Sequence, residues 1–284
     1  MSSILTNNGA MVALQTLRGI NSALDTTQNE ISTGKTINTA KDNAALWTIS
    51  KVMESDVAGF KAVSDSLSLA KGAVTNAREA AETVGKLIEQ IKDKIIAAQD
   101  GNQDRATLQK DIVALRDQIT SAVGASQFSG TNLVNGSVTS PFKALASLDR
   151  AGGAVTASYI DVVLTNTNLS ATGHASMVAL HAVDVTTITD AASAQAFLTT
   201  AETAQKTALD AAGIFGTAGK RIEIQSAFIS KLSDSMTSAI GAVIDTNMEE
   251  ASARLKALQT QQQLGVQSLS IANNAPQSLL ALFR

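Results

Sequence analysis

Residues 56–99 read DVAGFKAVSDSLSLAKGAVTNAREAAETVGKLIEQIKDKIIAAQ, and this stretch decides the fold. Phe60, Leu67, Val74, Ala81, Ile88 and Ile95 recur every seven residues, and Val63, Ala70, Ala77, Val84, Ile91 and Ala98 fill a second series between them. Two interleaved apolar heptad series place one continuous stripe along a helix, the pattern of a coiled-coil seam. At 1.5 Å per residue, six heptads make a rod of roughly 60 Å, so an elongated molecule is expected. The prolines are Pro141 and Pro276, which leaves the segments on either side of them free to run as long helices.

Downstream, Asp100-Gly101-Asn102-Gln103 breaks the rod, and Leu108, Ile112, Leu115, Ile119 and Ala122 mark a second helix that should fold back antiparallel. From Ser129 to about Thr189 helical periodicity disappears and Gly, Ser, Thr, Asn and Val dominate. Thr156–Leu164 and Ser176–Thr189 have β-branched content suited to strands, with turn-forming Asn166–Gly173 between them, so a small β-hairpin is expected here. Asp190 is placed to cap another long helix, whose core stripe is Ile222, Ile229, Met236 and Val243, with Gly213, Gly216 and Gly219 expected to interrupt or kink it.

Both chain ends repeat the heptad style. Ala10, Leu17, Leu24 and Ile31, with Ala13 and Ile20 between them, mark a helix at the N-terminus. Met248, Leu255, Gln262 and Leu269, together with Ala251, Leu258, Gly265 and Ala272, mark one at the C-terminus, expected to stop near Pro276. Gln262 and Gly265 sit in one seam, and Asn7 and Asn21 flank the other. Helices so short of large apolar side chains are marginal alone, so ordering on assembly with partners is expected.

Composition narrows the function. Seven Phe, one Trp and one Tyr in 284 residues provide few rings to wall a ligand pocket. There is no cysteine, hence no disulfide framework and no Cys-based zinc or redox site. A net charge of −3 without a basic stripe gives no footprint for nucleic acid or for an anionic membrane. Met1–Asn8 lacks the charged start and apolar core of a secretory signal, so export without a cleaved signal peptide, through a dedicated machine, is expected. His174 and His181 have no carboxylate cluster beside them and read as surface or strand residues rather than metal ligands. No H-E-x-x-H, G-x-S-x-G or phosphate-loop motif is present, so no catalytic residue, metal site or cofactor is expected.

Several stretches resemble one family. Ser3-Ile4-Leu5-Thr6-Asn7 with Ala10, Ala13, Leu14 and Leu17 is similar to the N-terminal helix of bacterial flagellins, and Ile31–Ala45 follows their LSTGxRINSAxDDAA signature. Gln127–Val134 resembles their QFNGxxLL stretch, and Asn247–Arg284 their C-terminal helix, including Leu264-Gly265, Ala272-Asn273, Pro276-Gln277 and Leu279-Leu280. Leu46-Trp47 departs from the pattern, which has Gly and then a smaller apolar residue. Many flagellins present an Arg- and Glu-bearing face of the first long helix to an innate immune receptor. Here the matching stretch, Leu87–Gln99, carries Gln90, Lys92, Asp93 and Lys94, so the resemblance does not extend to receptor recognition.

The resemblance implies a mainly α fold: an elongated antiparallel helical bundle or coiled coil formed by the N- and C-terminal halves, with a small β-hairpin region in the middle. The implied divisions are an inner-core helix over 1–34, a connecting segment over 35–55, outer helical parts over 56–135 and 190–244, a short variable β/loop region over 136–189, and a second inner-core helix over 245–284. Leu14, Leu17, Leu24, Ile31, Met248, Leu255, Leu258, Leu269, Leu279 and Leu280 are the implied assembly core; Lys35, Asn38, Lys41, Asp42 and Trp47 are the implied intersubunit joint. The implied function is a subunit that polymerises into the extracellular flagellar filament used for swimming. Its implied partners are copies of itself, the flagellar cap, the hook-associated junction proteins, an export chaperone and the flagellar type III export apparatus. A hook–filament junction protein of the same family is the alternative; a hydrolase grafted into the middle segment, the third reading, lacks paired catalytic groups.

Overall fold

The computed structural model describes residues 7–100, 102–138, 140–151 and 154–282, excluding the side chains of Ala151 and of 275–282. Helices α1 (Asn8–Thr33), α2 (Ala44–Ala97) and α3 (Arg105–Ala125) are followed by strands β1 (Phe142–Ala151) and β2 (Ala154–Val162). Helix α4 (Ala175–His181), a 3-10 turn at Val185–Thr187, α5 (Ala191–Ile244) and α6 (Met248–Leu282) complete the chain. The fold is mainly helical, with a central two-stranded antiparallel hairpin. It divides into two compact units, one of Met1–Val57 with Asp234–Arg284, the other Ala58–Ser233.

In the second unit every residue of both α2 heptad series is buried. Each large member contributes roughly 1.5–3 kcal/mol relative to exposure. α5 supplies the opposing face. A Cβ built on Gly219 would lie 3.7 Å from Val74, and one built on Gly85 would lie 3.5 Å from Leu209. Lys92 pairs with Glu202 at 2.9 Å, fixing the two helices as antiparallel. The three glycines of α5 do not interrupt it: the helix is continuous over 54 residues. Gly216 and Gly219 instead face Arg78 and Val74 of α2, and Phe215 beside them is fully buried. The α5 stripe also drifts, because 3.6 residues per turn do not divide seven evenly. Ile222 and Ile229 are buried, but Val243 is exposed and Ile244 takes its place.

α3 begins at Asp104, whose carboxylate accepts the Ala106 and Thr107 amides. The hydrogen bond from the Thr107 hydroxyl, and after it these two amide bonds, hold its pKa below the ordinary aspartate value. Leu108, Ile112, Ile119 and Val123 are buried on α3, and so is Arg116. Phe128, from the Gln127–Val134 stretch, seats its ring on Gly72 of α2, where an added Cβ would meet Cζ at 2.7 Å.

The hairpin differs from the expected pairing. β2 matches Thr156–Leu164 closely, but its partner is Phe142–Ala151, in antiparallel register from Phe142 opposite Val162 to Ala151 opposite Ala154. Ser176–Thr189 forms α4 and the 3-10 turn instead of a strand. Its apolar residues serve a helical spacing: Met177 and Leu180 are buried together, His174 caps the start by accepting the Ser176 amide, and Asp184 caps the turn. His174 is therefore a helix cap, and His181 sits in the last turn of α4 with Nδ1 on the Met177 carbonyl at 2.9 Å. Asp190 caps α5 as expected, accepting the Ser193 amide at 2.8 Å.

Candidate assembly surface

The first unit is built on α1 and α6. Seam positions of α1, Ala10, Ala13, Leu17, Ile20, Leu24, Thr27 and Ile31, are buried or half-buried, while the residues between them, Glu30 apart, are exposed. On α6 the corresponding set is Ala251, Leu255, Leu258, Gln262, Gly265, Leu269 and Ala272. Of these only Leu24, Thr27 and Ala251 reach full burial among the described residues. Leu17 lies over Gly265, its Cδ1 3.2 Å from where a Cβ would stand, and Ile20 follows at 3.8 Å. Beside them Gln262 donates to Asn21 at 2.7 Å.

Between the helices of each half, the two connectors are tied together. Gly34 ends α1 in a left-handed conformation (φ 70°), which glycine adopts without steric cost. The turn it makes brings Lys35 into a β-bridge with Asp245: the Thr36 amide donates to Ile244 at 2.7 Å and the Thr246 amide to Gly34 at 2.9 Å. Lys35 approaches Glu54 at 3.7 Å, and Lys51 closes on the same carboxylate at 2.7 Å. The Glu54 pKa is lowered mainly by the hydrogen bond from Lys51.

Asp42 organises the rest of the loop. One oxygen accepts the amides of Asn38 (3.1 Å) and Thr39 (2.8 Å) and the Thr39 hydroxyl (3.1 Å). These bonds, the Thr39 amide first, depress its pKa. Asn38 and Lys41 are exposed on the same loop, and Ile37 is buried beneath it. Trp47 is half-buried in the first turn of α2, its carbonyl accepting the Ser50 hydroxyl at 2.8 Å.

Leu17, Leu24, Ile31, Leu255, Leu258 and Leu269 thus meet along one seam, whereas Leu14 and Met248 are exposed outside it. The side chains of Leu279 and Leu280 lie outside the described residues. α6 does not stop at Pro276 but continues to Leu282. Met11, Val12, Leu264, Val266 and Ile271 are exposed, Ile271 by 73%. Sequence reading missed Thr27 as a seam residue, since a hydroxyl broke the apolar series. It also treated Asn7, Asn21 and Gln262 as weaknesses, although two of them pair with each other.

Among the described residues no group of three metal-ligating side chains is present, and no helix is long and apolar enough to cross a membrane. Two thinly covered helices with apolar flanks, joined through hydrogen-bonded connectors, define a structural subunit of the kind that packs on its own copies. Residues 4–139 match the family description "Bacterial flagellin N-terminal helical region" and residues 198–283 "Bacterial flagellin C-terminal helical region". A flagellin of Brucella melitensis is 40% identical over 100% of both chains. The flagellin FljK of Caulobacter vibrioides is 37% identical over 100% of this chain and 99% of its own. A solved structure described as a flagellar hook-associated protein from Vibrio parahaemolyticus shares the fold, with a TM-score of 0.54 at 16% identity, covering 72% of this chain and 100% of that one. The chain belongs to the bacterial flagellins: it is a structural, non-enzymatic, self-assembling subunit of the extracellular flagellar filament that serves motility. Full-length identity to flagellins removes the junction-protein alternative, since the hook-associated likeness is one of fold alone.

Proposed function

We propose that the α1/α6 pair is the assembly core of this subunit and the 34–43 loop its intersubunit joint. The observation that carries this is the incomplete burial of the pair: its seam is matched within the chain, yet Met11, Val12, Leu264, Val266 and Ile271 remain exposed on it. Stacking identical copies through a contact that does not close on itself gives a helical polymer. Burying these side chains there offsets the backbone ordering cost, about 1–2 kcal/mol per residue. Leu14, Met248, Leu279 and Leu280 join the core in contacts between copies. Lys41 and Asn38, exposed on a loop that Asp42 holds rigid, face the neighbouring subunit. Trp47 packs the connecting segment.

In this reading residues 1–34 and 245–284 form the inner layer, 56–135 and 190–244 the outer helical layer, and 136–189 the surface excursion. The terminal helices order as each subunit adds under the flagellar cap, after delivery by an export chaperone and the flagellar type III apparatus and on a base of hook-associated junction proteins. Deleting Met1–Ile31 and Asn247–Arg284 is expected to leave a folded 58–233 unit that forms no filaments by electron microscopy. Ordinary filaments from that variant would overturn the assignment.

A further inference from the structure

In an α-helix the carbonyl of residue 272 accepts the amide of residue 276. Residue 276 is Pro276, which has no N–H, so the Ala272 carbonyl loses its helical partner although α6 continues to Leu282. The side chain of Asn7 fills the place: Nδ2 donates to the Ala272 carbonyl at 2.7 Å across 265 residues of sequence. Its other atom is also used, because Oδ1 accepts the Ala10 amide at 3.0 Å as the N-cap of α1. One primary amide closes two backbone defects, the open start of one helix and the proline break of the other. An aspartate there would cap α1 equally well but could not donate to Ala272.

The neighbouring contacts share one antiparallel register. Gly9 is level with Ala272, Leu17 with Gly265, and Asn21 with Gln262. Extended along both heptad series, this register sets Ala13 level with Leu269 and Ile31 level with Ala251, large against small. A slip of one heptad would set Leu17 level with Leu258 or Ala272 and part Asn21 from Gln262, leaving Asn21 level with Leu255 or Leu269. An apolar seam that repeats every seven residues discriminates weakly between such registers, and a polar group that is satisfied in only one of them discriminates well.

We propose that Asn7 is the register-determining residue of the α1/α6 pair, selecting the carbonyl that Pro276 leaves open, with Asn21–Gln262 and Leu17–Gly265 as secondary marks of the same register. The proposal rests on the pairing of α1 with α6; the assembly role argued above enters only through the polymerised state used for its test.

The absence of cysteine allows a clean reporter. A Cβ on Gly9 would stand 4.0 Å from the Ala272 Cβ, inside the range of about 3.5–4.5 Å that a disulfide requires. The full chain carrying Gly9→Cys and Ala272→Cys is polymerised and oxidised mildly, and formation of the intrachain bond is followed by gel mobility. The backgrounds compared are the parent, Asn7→Asp, Pro276→Ala and the double variant. Asn7→Asp is expected to slow bond formation about tenfold in the parent and less than twofold beside Pro276→Ala, whose restored amide serves Ala272 without Asn7. Equal slowing in both backgrounds, or none in the parent, overturns the proposal. If Asn7→Asp fails to polymerise, filament formation is the readout: rescue by Pro276→Ala supports the proposal and failure to rescue overturns it. If the parent reporter chain itself forms no filaments, the same backgrounds are compared without the cysteines, and rescue of Asn7→Asp by Pro276→Ala again supports the proposal while failure to rescue overturns it.

Discussion

The α2 and α1/α6 seams carry the same heptad code and meet different fates. In α2 all positions from Phe60 to Ala98 in both series are buried, because α5, α3 and Phe128 supply side chains around the stripe. In the α1/α6 pair only Leu24, Thr27 and Ala251 reach that state among the described residues. A two-helix pair covers one stripe per helix and leaves the flanks open, whatever the quality of its pattern. Heptads therefore announce a helix and its inward face, while the number of neighbours decides whether that face stabilises the subunit or waits for another copy.

The contrast is most exposed to substitutions of large buried residues. Phe215→Ala in the 58–233 unit is expected to remove about 3–5 kcal/mol of stability, read as a lowered thermal midpoint of the free subunit. Leu258→Ala in α6 should lower that midpoint little and instead slow polymerisation; a large monomer effect would mean the pair is already a full core. Gly72→Ala forces a methyl into the Phe128 ring and should cost about 1–3 kcal/mol in the same melt.

A similar cost is expected at Arg116. Its guanidinium, buried on α3, donates to the His181 carbonyl at 3.0 Å and to the Val183 carbonyl. Gln109 donates to the same Val183 carbonyl at 3.5 Å and accepts the Val185 amide at 3.0 Å. Burial lowers the Arg116 pKa, with the Asp184 charge acting the other way. Arg116→Met keeps the stem but strips these carbonyls, and should raise amide exchange of Val183–Ile188 by a change of about 1–3 kcal/mol. Unchanged exchange there would mean that apolar packing alone holds the segment.

In the first unit the corresponding lever is pH. The folded pKa of Asp42 lies below its unfolded value, so the stability it contributes is complete above the ordinary aspartate pKa, near ~3.9, and is lost as pH falls through the folded value. Amide exchange at Asn38 and Thr39 should accelerate below pH ~4, and Asp42→Asn should flatten that dependence. The smallest effect belongs to exposed pairs: Lys206→Ala, which breaks an i,i+4 contact with Asp210, should shift the melt by no more than about 0.5 kcal/mol.

The α2 seam, the cap at Asp190, and the heptads of both chain ends follow from local pattern, because each depends on residues within a few turns of one another. Ser176–Thr189 was misread because β-branched content was weighed without a partner. Phe142–Ala151 offered β2 a complete ladder, while Met177 and Leu180 were better buried from a helix. Gly213, Gly216 and Gly219 looked like breaks because a glycine costs about 1 kcal/mol in an isolated helix, a cost that the buried apolar residues of α5, Phe215 and Ile222 among them, outweigh.

By itself the sequence determined that this chain makes long heptad helices, that its two ends match each other in style, and that Pro276 has no amide to give the Ala272 carbonyl. Only the tertiary structure decided which donor answers it, which large residue faces which small one, and how completely each stripe is covered. Helical periodicity is a property of neighbours in the chain, whereas the partner of Ala272 is 265 residues away and is chosen by packing alone.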